Sequence, residues 1–398
     1  MRILMSCGEP SGDLYAGALA SELNARVPGI DLFGLGGDRF EAAGGRLVAH
    51  YRGLSATGLV EPLRVVPRAL RMLRQITEAA RRTRPDVFVA VDFPDVNFRL
   101  MASMRKLGIP VVYYISPQLW AWRPWRMRAM QRDVDQVLVI FPFEVPLYQK
   151  AGVPVQFVGH PLVEMAEAAV AGQTRPDLRG SLGLAVEAPT VALLPGSRRN
   201  EVERLVPVIA AAVPALAGGI PGVQFAVARA PHLRDELFAP LAAAVSAARR
   251  PLVQVHDRTD AVLAAADVAI TASGTATVQC AIHGCPMVVV YKLSPVTYAL
   301  GKPFVNVSTY AMANLIAGRP LVPELIQDAC TPDAVAAETV DLVTNGPRRA
   351  TVVAGLREVR DRLALPGASG RAAEAVLGVA RSQRGARQCG VGGVGGAA

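Results

Sequence analysis

Three glycine-containing turns and one pair of carboxylates carry the chemistry this sequence can offer. The turns are Gly8-Glu9-Pro10-Ser11-Gly12-Asp13, Leu194-Pro195-Gly196-Ser197-Arg198-Arg199 and Thr271-Ala272-Ser273-Gly274-Thr275-Ala276-Thr277. Each follows an apolar run and opens a helical one, so each aims unpaired backbone N–H groups and the positive end of a helix dipole at an anion. The second turn adds Arg198 and Arg199, and the third adds the hydroxyls of Ser273, Thr275 and Thr277. Both belong to the second half of the chain, where together they can clasp a diphosphate. The bland alternative is that every βα turn of a parallel sheet needs Gly and Ser. Two such turns in one half, one carrying an Arg pair, favour phosphate.

The carboxylates lie in Asp92-Phe93-Pro94-Asp95-Val96-Asn97, directly after the apolar run 87–91. That places Asp92, Asp95 and the Asn97 amide at the carboxyl end of a strand, where a carboxylate can take the proton of a sugar hydroxyl. The competing role is structural, with Asp95 capping the next helix or Asp92 holding a turn. Segment 116–126 then gathers all three tryptophans, Trp120, Trp122 and Trp125. Such a loop serves as a sugar platform, a lid or an acyl-chain contact, or simply as structure.

Other chemistries lose ground. The five histidines are scattered, and the five cysteines form no CxxC pair, which disfavours both a disulfide framework and a zinc site. Neither GxxxxGK[ST] nor HExxH occurs, and the one GxGxxG match, Gly390, Gly392 and Gly395, lies in a Gly-rich tail with no strand before it. No cofactor and no metal are expected.

The elements that must position these residues follow from the hydrophobic pattern. Short β-branched runs read as strands at 2–6, 31–35, 87–91, 111–115, 136–140 and 155–158, and then at 190–194, 224–228, 252–255, 268–271 and 287–291. Helical stretches such as 16–26, 67–82 and 204–216 separate them. Strands alternating with helices mean crossovers and parallel sheets, hence an α/β fold of two Rossmann-like, doubly wound domains with a cleft at their carboxyl ends. The expected divisions are 1–170 for a first domain and 171–349 for a second, with the hinge at 164–187. A helical stretch at 350–382, able to cross back to the first domain, and a disordered Gly-rich tail at 383–398 complete the chain.

With 51% hydrophobic and 19% charged residues over 398 positions, the chain has ample core for two domains. The longest apolar stretch, 206–223, is broken by Pro207, Pro214 and Pro221 and reads as a buried helix. The N-terminus is too short in apolar residues for a secretory signal, so a cytoplasmic protein is expected. The net charge of +9 suits anionic lipid or phosphorylated substrates. Its placement is informative: Arg64, Arg68, Arg71 and Arg74 recur at helical spacing beside Leu63, Val66, Leu70 and Leu73. A helix of that kind can lie on the anionic cytoplasmic face of a membrane as a peripheral contact. Its alternative is a surface helix packed by its apolar stripe. No nucleic-acid module is present in the sequence.

Taken together, motifs 8–13 (GEPSGD), 91–97 (VDFPDVN), 116–122 (SPQLWAW), 194–198 (LPGSR), 273–277 (SGTAT), 286–292 (PMVVVYK), 314–318 (NLIAG) and 323–327 (PELIQ) resemble the lipid-A-disaccharide synthase family in order and spacing. The resemblance implies a GT-B-type fold, with 1–170 as the acceptor- and membrane-facing domain and 171–349 as the UDP-sugar domain, and an inverting, metal-independent hexosyl transfer. The implied donor is UDP-2,3-diacylglucosamine and the implied acceptor 2,3-diacylglucosamine 1-phosphate. The products are a β-1,6 disaccharide 1-phosphate, a lipid A precursor, and UDP. It implies Asp95, with Asp92 as runner-up, as base and Arg198 as the diphosphate's partner. UDP contacts fall on Gly196, Ser197, Arg199, Ser273, Gly274, Thr275 and Gln279. Acceptor or cleft positions fall on Ser11, Asp13, Asn97, Gln118, Trp120, Asn314, Glu324 and Gln327. Two departures stand out: Gln279 where the family usually has Glu, and Pro10 where Ala is common. A UDP-sugar epimerase of the same fold, or a non-catalytic nucleotide-sugar or lipid-phosphate binder, are the rival readings. Monomer and homodimer are both compatible with the sequence.

Overall fold

The computed structural model describes residues 1–52, 62–120, 124–293 and 309–391, with the side chains of 62–65 and 386–391 left aside. Its contacts divide the chain into two compact units, residues 1–161 joined by 365–398 and residues 162–364.

Unit 1 is a seven-stranded parallel sheet built from β1 (Arg2–Ser6), β2 (Asp31–Gly36), β3 (Arg46–His50), β4 (Val87–Val91), β5 (Val111–Tyr114), β6 (Gln136–Val139) and β7 (Val155–Phe157). The strand order is β3-β2-β1-β4-β5-β6-β7. Helices cover both faces, so the central strands are apolar throughout. β4 is buried at all five positions, and Leu4, Phe33, Phe88, Val111 and Val137 join one core with Met101 and Ile76 from the helices. Helix Pro10–Arg26 begins at Pro10, whose fixed φ and missing N–H suit a first helical position.

Unit 2 is a six-stranded sheet of β8 (Thr190–Leu194), β9 (Gln224–Arg229), β10 (Leu252–His256), β11 (Val268–Ala272), β12 (Met287–Tyr291) and β13 (Glu324–Ile326). The order β10-β9-β8-β11-β12-β13 repeats the winding of unit 1, again all parallel. Helix Arg199–Gly219 is long and apolar enough by composition to span a membrane. Val202, Leu205, Val206, Ile209, Val213 and Leu216 are nonetheless buried on one face of it. The helix stops at Gly218-Gly219, where propensity is poor.

Several boundaries differ from the sequence-based ones. Helices Pro161–Ala169 and Arg175–Ser181, the latter opened by a Thr174–Asp177 capping box, fill the expected hinge, and the contact boundary falls before it, at Pro161. Helix Gly346–Leu363 belongs to unit 2, whereas Ala368–Val391 belongs to unit 1. That last helix runs to Val391, through the first part of the stretch expected to be a disordered tail. Ala372, Ala373, Val376, Leu377 and Ala380 are buried along it, and a docked helix propagates beyond its contacts. Residues 392–398 lie outside the described part.

Candidate functional site

In both sheets the strand order reverses beside the first strand, between β1 and β4 in unit 1 and between β8 and β11 in unit 2. Crevices at the carboxyl ends of such strands are where open α/β sheets take ligands. Turn 8–13 and Asp92 sit at the first of these points. Turns 194–199 and 271–277 sit at the second.

At the end of β4, Asp92 and Phe93 both adopt left-handed conformations, with φ of 47° and 49°. Non-glycine residues hold such angles only when neighbours over-determine them. Here the Tyr113 hydroxyl donates to the Asp92 carbonyl at 2.8 Å, and Asn97 Nδ2 donates to the same oxygen at 2.6 Å and to the Ser6 carbonyl at 3.3 Å. Asn97 is thus a buried brace between β1 and β4. The Phe93 ring lies over Gly8, where a Cβ would sit 2.1 Å from it, so residue 8 has to be glycine. The turn leaves Asp92 half-buried, its charge helping to raise the pKa values of Cys7, Tyr15 and Tyr113 beyond what their burial does.

Asp95 is placed differently. It lies in the first turn of helix Pro94–Lys106 with 67% of its side chain exposed, and Arg126 Nη2 donates to it at 2.9 Å. The Arg126 guanidinium itself rests over the Phe98 ring. Of the two carboxylates, Asp92 is the half-buried one at the strand end and Asp95 the exposed, ion-paired one.

Around this point Ser11 is half-buried in the first turn of helix Pro10–Arg26, and Gln118 is exposed between buried Pro117 and Leu119. Asp13 is a scaffold group. It is 3% exposed, and Oδ1 accepts from the N–H of Gly37 at 2.8 Å and of Phe40 at 3.2 Å, while Oδ2 accepts from Arg39 at 3.0 Å. Its carboxylate caps the short helix Asp38–Ala42, so these bonds compete with any role toward a ligand. Trp120 is half-buried and donates through Nε1 to Glu144 Oε1 at 3.3 Å. Trp122 lies outside the described residues.

Sequence reasoning missed Glu144. It is 1% exposed, accepts from Ser116 Oγ at 3.0 Å, and has its pKa pushed up to about 8, chiefly by burial. The signal was an acid enclosed by apolar residues just past an apolar strand, in Phe141-Pro142-Phe143-Glu144-Val145.

In unit 2 the second turn is not an empty row of donors. Gly196 takes φ of 120°, and Glu201 folds back so that Oε2 accepts from Ser197 N at 3.2 Å and Arg198 N at 3.3 Å. This corrects the expectation of unpaired N–H groups there: Glu201, three residues past the cap, satisfies them as in a capping box. Both bonds are at the long end of the ordinary range, so Glu201 holds these N–H groups weakly. Arg198 Nη1 lies 3.4 Å from Glu201, whereas Arg199 turns along the helix to Glu203 at 2.6 Å.

In the third turn Gly274 has φ of 147° with open space where a Cβ would be, and both Gly274 and Thr275 are exposed at the start of helix Thr275–Ile282. Ser273 Oγ donates to the Tyr310 carbonyl, and Thr277 turns inward onto the Gly274 carbonyl. Gln279 Nε2 donates to Asp260 Oδ1 at 3.1 Å, an oxygen that His283 also meets at 3.0 Å. Gln279 therefore has a carboxylate partner that the sequence did not reveal.

Asn314, Glu324 and Gln327 belong to unit 2, as does the third turn. Glu324 accepts from Tyr310 N, Ala311 N and Asn314 Nδ2 at 2.7 to 3.0 Å. Asn314 Oδ1 accepts from Leu321 N and Val322 N, and Gln327 Oε1 from Leu293 N. They form a hydrogen-bonded frame for the segment that Ser273 contacts.

Along helix Pro62–Thr83 the core takes Met72, Ile76 and Ala80, with Ala69 and Leu73 partly buried against it. Leu73 thus packs inward, contrary to an outward stripe. Val66 and Leu70 remain 50% and 45% exposed, beside exposed Arg68, Arg71 and Arg74. The side chains of Leu63 and Arg64 lie outside the described residues. Among the described residues no group of three or more His, Cys, Asp and Glu is arranged to hold a metal.

The model of the family described as lipid-A-disaccharide synthetase matches residues 3–374. The chain belongs to the lipid-A-disaccharide synthetase family. It is accordingly a glycosyltransferase of the hexosyltransferase class and acts in lipid A biosynthesis. The lipid-A-disaccharide synthase of Myxococcus xanthus is 41% identical over 377 residues, covering 94% of this chain and 97% of the relative. That of Anaeromyxobacter sp. is 42% identical over 380 residues, covering 96% and 98%. Among solved structures, the UDP-GlcNAc 2-epimerase of Neisseria meningitidis bound to UDP-GlcNAc superimposes with a TM-score of 0.68 over 95% of this chain and 100% of that one. At 11% identity that likeness shows the two-domain GT-B-type fold alone and leaves the epimerase reading as a distant fold relation.

Proposed function

We propose that this family member transfers 2,3-diacylglucosamine from UDP-2,3-diacylglucosamine to the 6-hydroxyl of 2,3-diacylglucosamine 1-phosphate, with inversion, and that Asp92 is the base. The observation that carries the assignment of the base is the half-buried Asp92 at the switch point of unit 1, held in a left-handed turn by Tyr113 and Asn97. Asp92 takes the hydroxyl proton as the acceptor oxygen forms its bond to the donor's anomeric carbon. The bond from that carbon to the diphosphate breaks, and UDP leaves with the electron pair.

Unit 2 takes the UDP. Support comes from two helix N-termini at its own switch point, from Arg198, and from the open space over Gly274. The developing diphosphate charge takes the Ser197 and Arg198 N–H groups from Glu201. Preorganised donors of this kind are worth roughly 10²–10³ in rate each. The exposed Val66 and Leu70 beside Arg68, Arg71 and Arg74 support peripheral binding of unit 1 to an anionic, cytoplasmic membrane surface, which is where acylated substrates reside.

Disaccharide formation by purified protein from the two lipid sugars, in detergent with a chelator, tests the reading. Asp92→Asn should lower kcat by about 10²–10⁴-fold and Asp95→Asn by less than about 10-fold. The reverse ranking would make Asp95 the base. Interconversion of a soluble UDP-sugar without disaccharide would replace the transferase by the epimerase.

A further inference from the structure

Glu144 is a buried acid that the transfer chemistry does not use. It ends the short turn Pro142–Glu144 after β6, and its Oε1 accepts from Ser116 Oγ and the Trp120 indole. Among the described residues the buried Oε2 has no hydrogen-bond partner. Among the described residues no Lys, Arg or His pairs with it. Burying a lone carboxylate costs far more than protonating it. The acid is therefore neutral at neutral pH, consistent with its raised pKa, to which the Asp92 charge adds.

The aromatic groups around it share this frame. Trp120 meets Phe143 edge-on with centroids 5.3 Å apart, Phe143 stacks on Phe141 at 5.6 Å, and Phe141 meets His160 at 5.3 Å. His160 in turn contacts Tyr15 of helix Pro10–Arg26. Burial lowers the His160 pKa to about 3, so this row of rings holds no cation either. Segment 116–120 is thus tied to this acid through Ser116 and Trp120 and to the row of rings through Trp120, while Leu119 packs into the core, at the same end of the sheet as Asp92.

We propose that Glu144 is the positioning residue of the unit 1 site, holding segment 116–120 through Ser116 and Trp120 for the sugar that Asp92 deprotonates. This rests on the assignment of the acceptor to unit 1. A glutamine at 144 keeps an oxygen for both donors, whereas a leucine fills similar space and keeps neither bond.

Full-length wild type, Glu144→Gln and Glu144→Leu are compared by initial rates of disaccharide formation at pH 7, varying each substrate. The indole N–H resonance of Trp120, assigned with Trp120→Phe, is followed in parallel. Glu144→Gln should stay within about 3-fold of wild type in kcat and both KM values. Glu144→Leu should raise the acceptor KM by about 10-fold or more with the donor KM unchanged, and should shift the Trp120 resonance. If Glu144→Leu does not fold, Ser116→Ala combined with Trp120→Phe removes the same two bonds and should raise the acceptor KM alone. Wild-type kinetics in the variants that lose both bonds would overturn the proposal. Glu144→Gln as impaired as Glu144→Leu would overturn it too, because the ionised acid would then be the working form. A rise confined to the donor KM would instead overturn the assignment of the acceptor to unit 1.

Discussion

Asp13 provides the sharpest test of whether a motif residue serves the ligand or the fold. Its two oxygens accept three backbone N–H groups at the start of helix Asp38–Ala42, and the Gly37 and Phe40 bonds are buried. In Asp13→Ala those two N–H groups lose their partner where water cannot replace it, while the half-exposed Arg39 N–H can turn to solvent. At about 1–3 kcal/mol for each buried orphan, unit 1 loses about 2–6 kcal/mol. That is a large share of the 5–15 kcal/mol typical of a whole domain (order of magnitude). Asp13→Asn keeps one oxygen for Gly37 and Phe40 and sets an amide against the Arg39 N–H, so it should cost about 1–2 kcal/mol. Urea unfolding followed by circular dichroism gives the ranking, and steady-state rates on the folded protein give both KM values. A fully stable Asp13→Ala variant with a greatly raised acceptor KM would refute the scaffold reading and return Asp13 to the substrate.

Other perturbations follow from the same geometry. Gly196→Ala forces a Cβ onto a φ of 120° and within 2.6 Å of Glu201 Oε2, so calorimetry should find UDP affinity at least about tenfold weaker, and an unchanged Kd would contradict the anion role of this turn. Val66→Ser combined with Leu70→Ser should lower partitioning onto anionic vesicles by about tenfold or more, whereas equal flotation of variant and wild type would remove this helix from the membrane contact. For Glu144 the folded pKa near 8 exceeds the ordinary 4.5, so between those values the native state holds one proton more than the unfolded chain. Stability should therefore fall with rising pH across that window by up to about 1.4 kcal/mol per unit, and Glu144→Gln should remove this component. Parallel urea midpoints for the two proteins at pH 5.5 and 7.5 would count against a neutral Glu144.

Much of the fold could be read from residue type because a parallel sheet covered on both faces writes itself as uninterrupted apolar runs. β4 and β11, buried at every position, are plain in the sequence. β3 and β13, edge strands of mostly half-buried residues, were not. The motifs fell at the switch points for the same reason that glycine turns mark strand ends. Their partners were another matter. That Glu201 fills the second turn, that Gln279 leans on Asp260 and that Asp13 caps a helix over twenty residues away are consequences of tertiary approach. No local pattern encodes them. Asn314 and Glu324 stood out through the family motif alone, and only the folded chain shows the hydrogen-bonded frame they build.

The discontinuity of unit 1 has a bearing on how the chain is made. Helix Ala368–Val391 packs on helix Pro10–Arg26, with Ala372, Ala373, Val376 and Leu377 buried along it, and Arg371 donates twice to the Val158 carbonyl. A ribosome releases all of residues 162–364 before that helix emerges, so unit 2 has its whole sequence outside the tunnel while unit 1 still lacks a covering layer. Vectorial synthesis thus favours completing unit 2 first and leaves the apolar flank of helix Pro10–Arg26 uncovered until the last stretch of chain arrives.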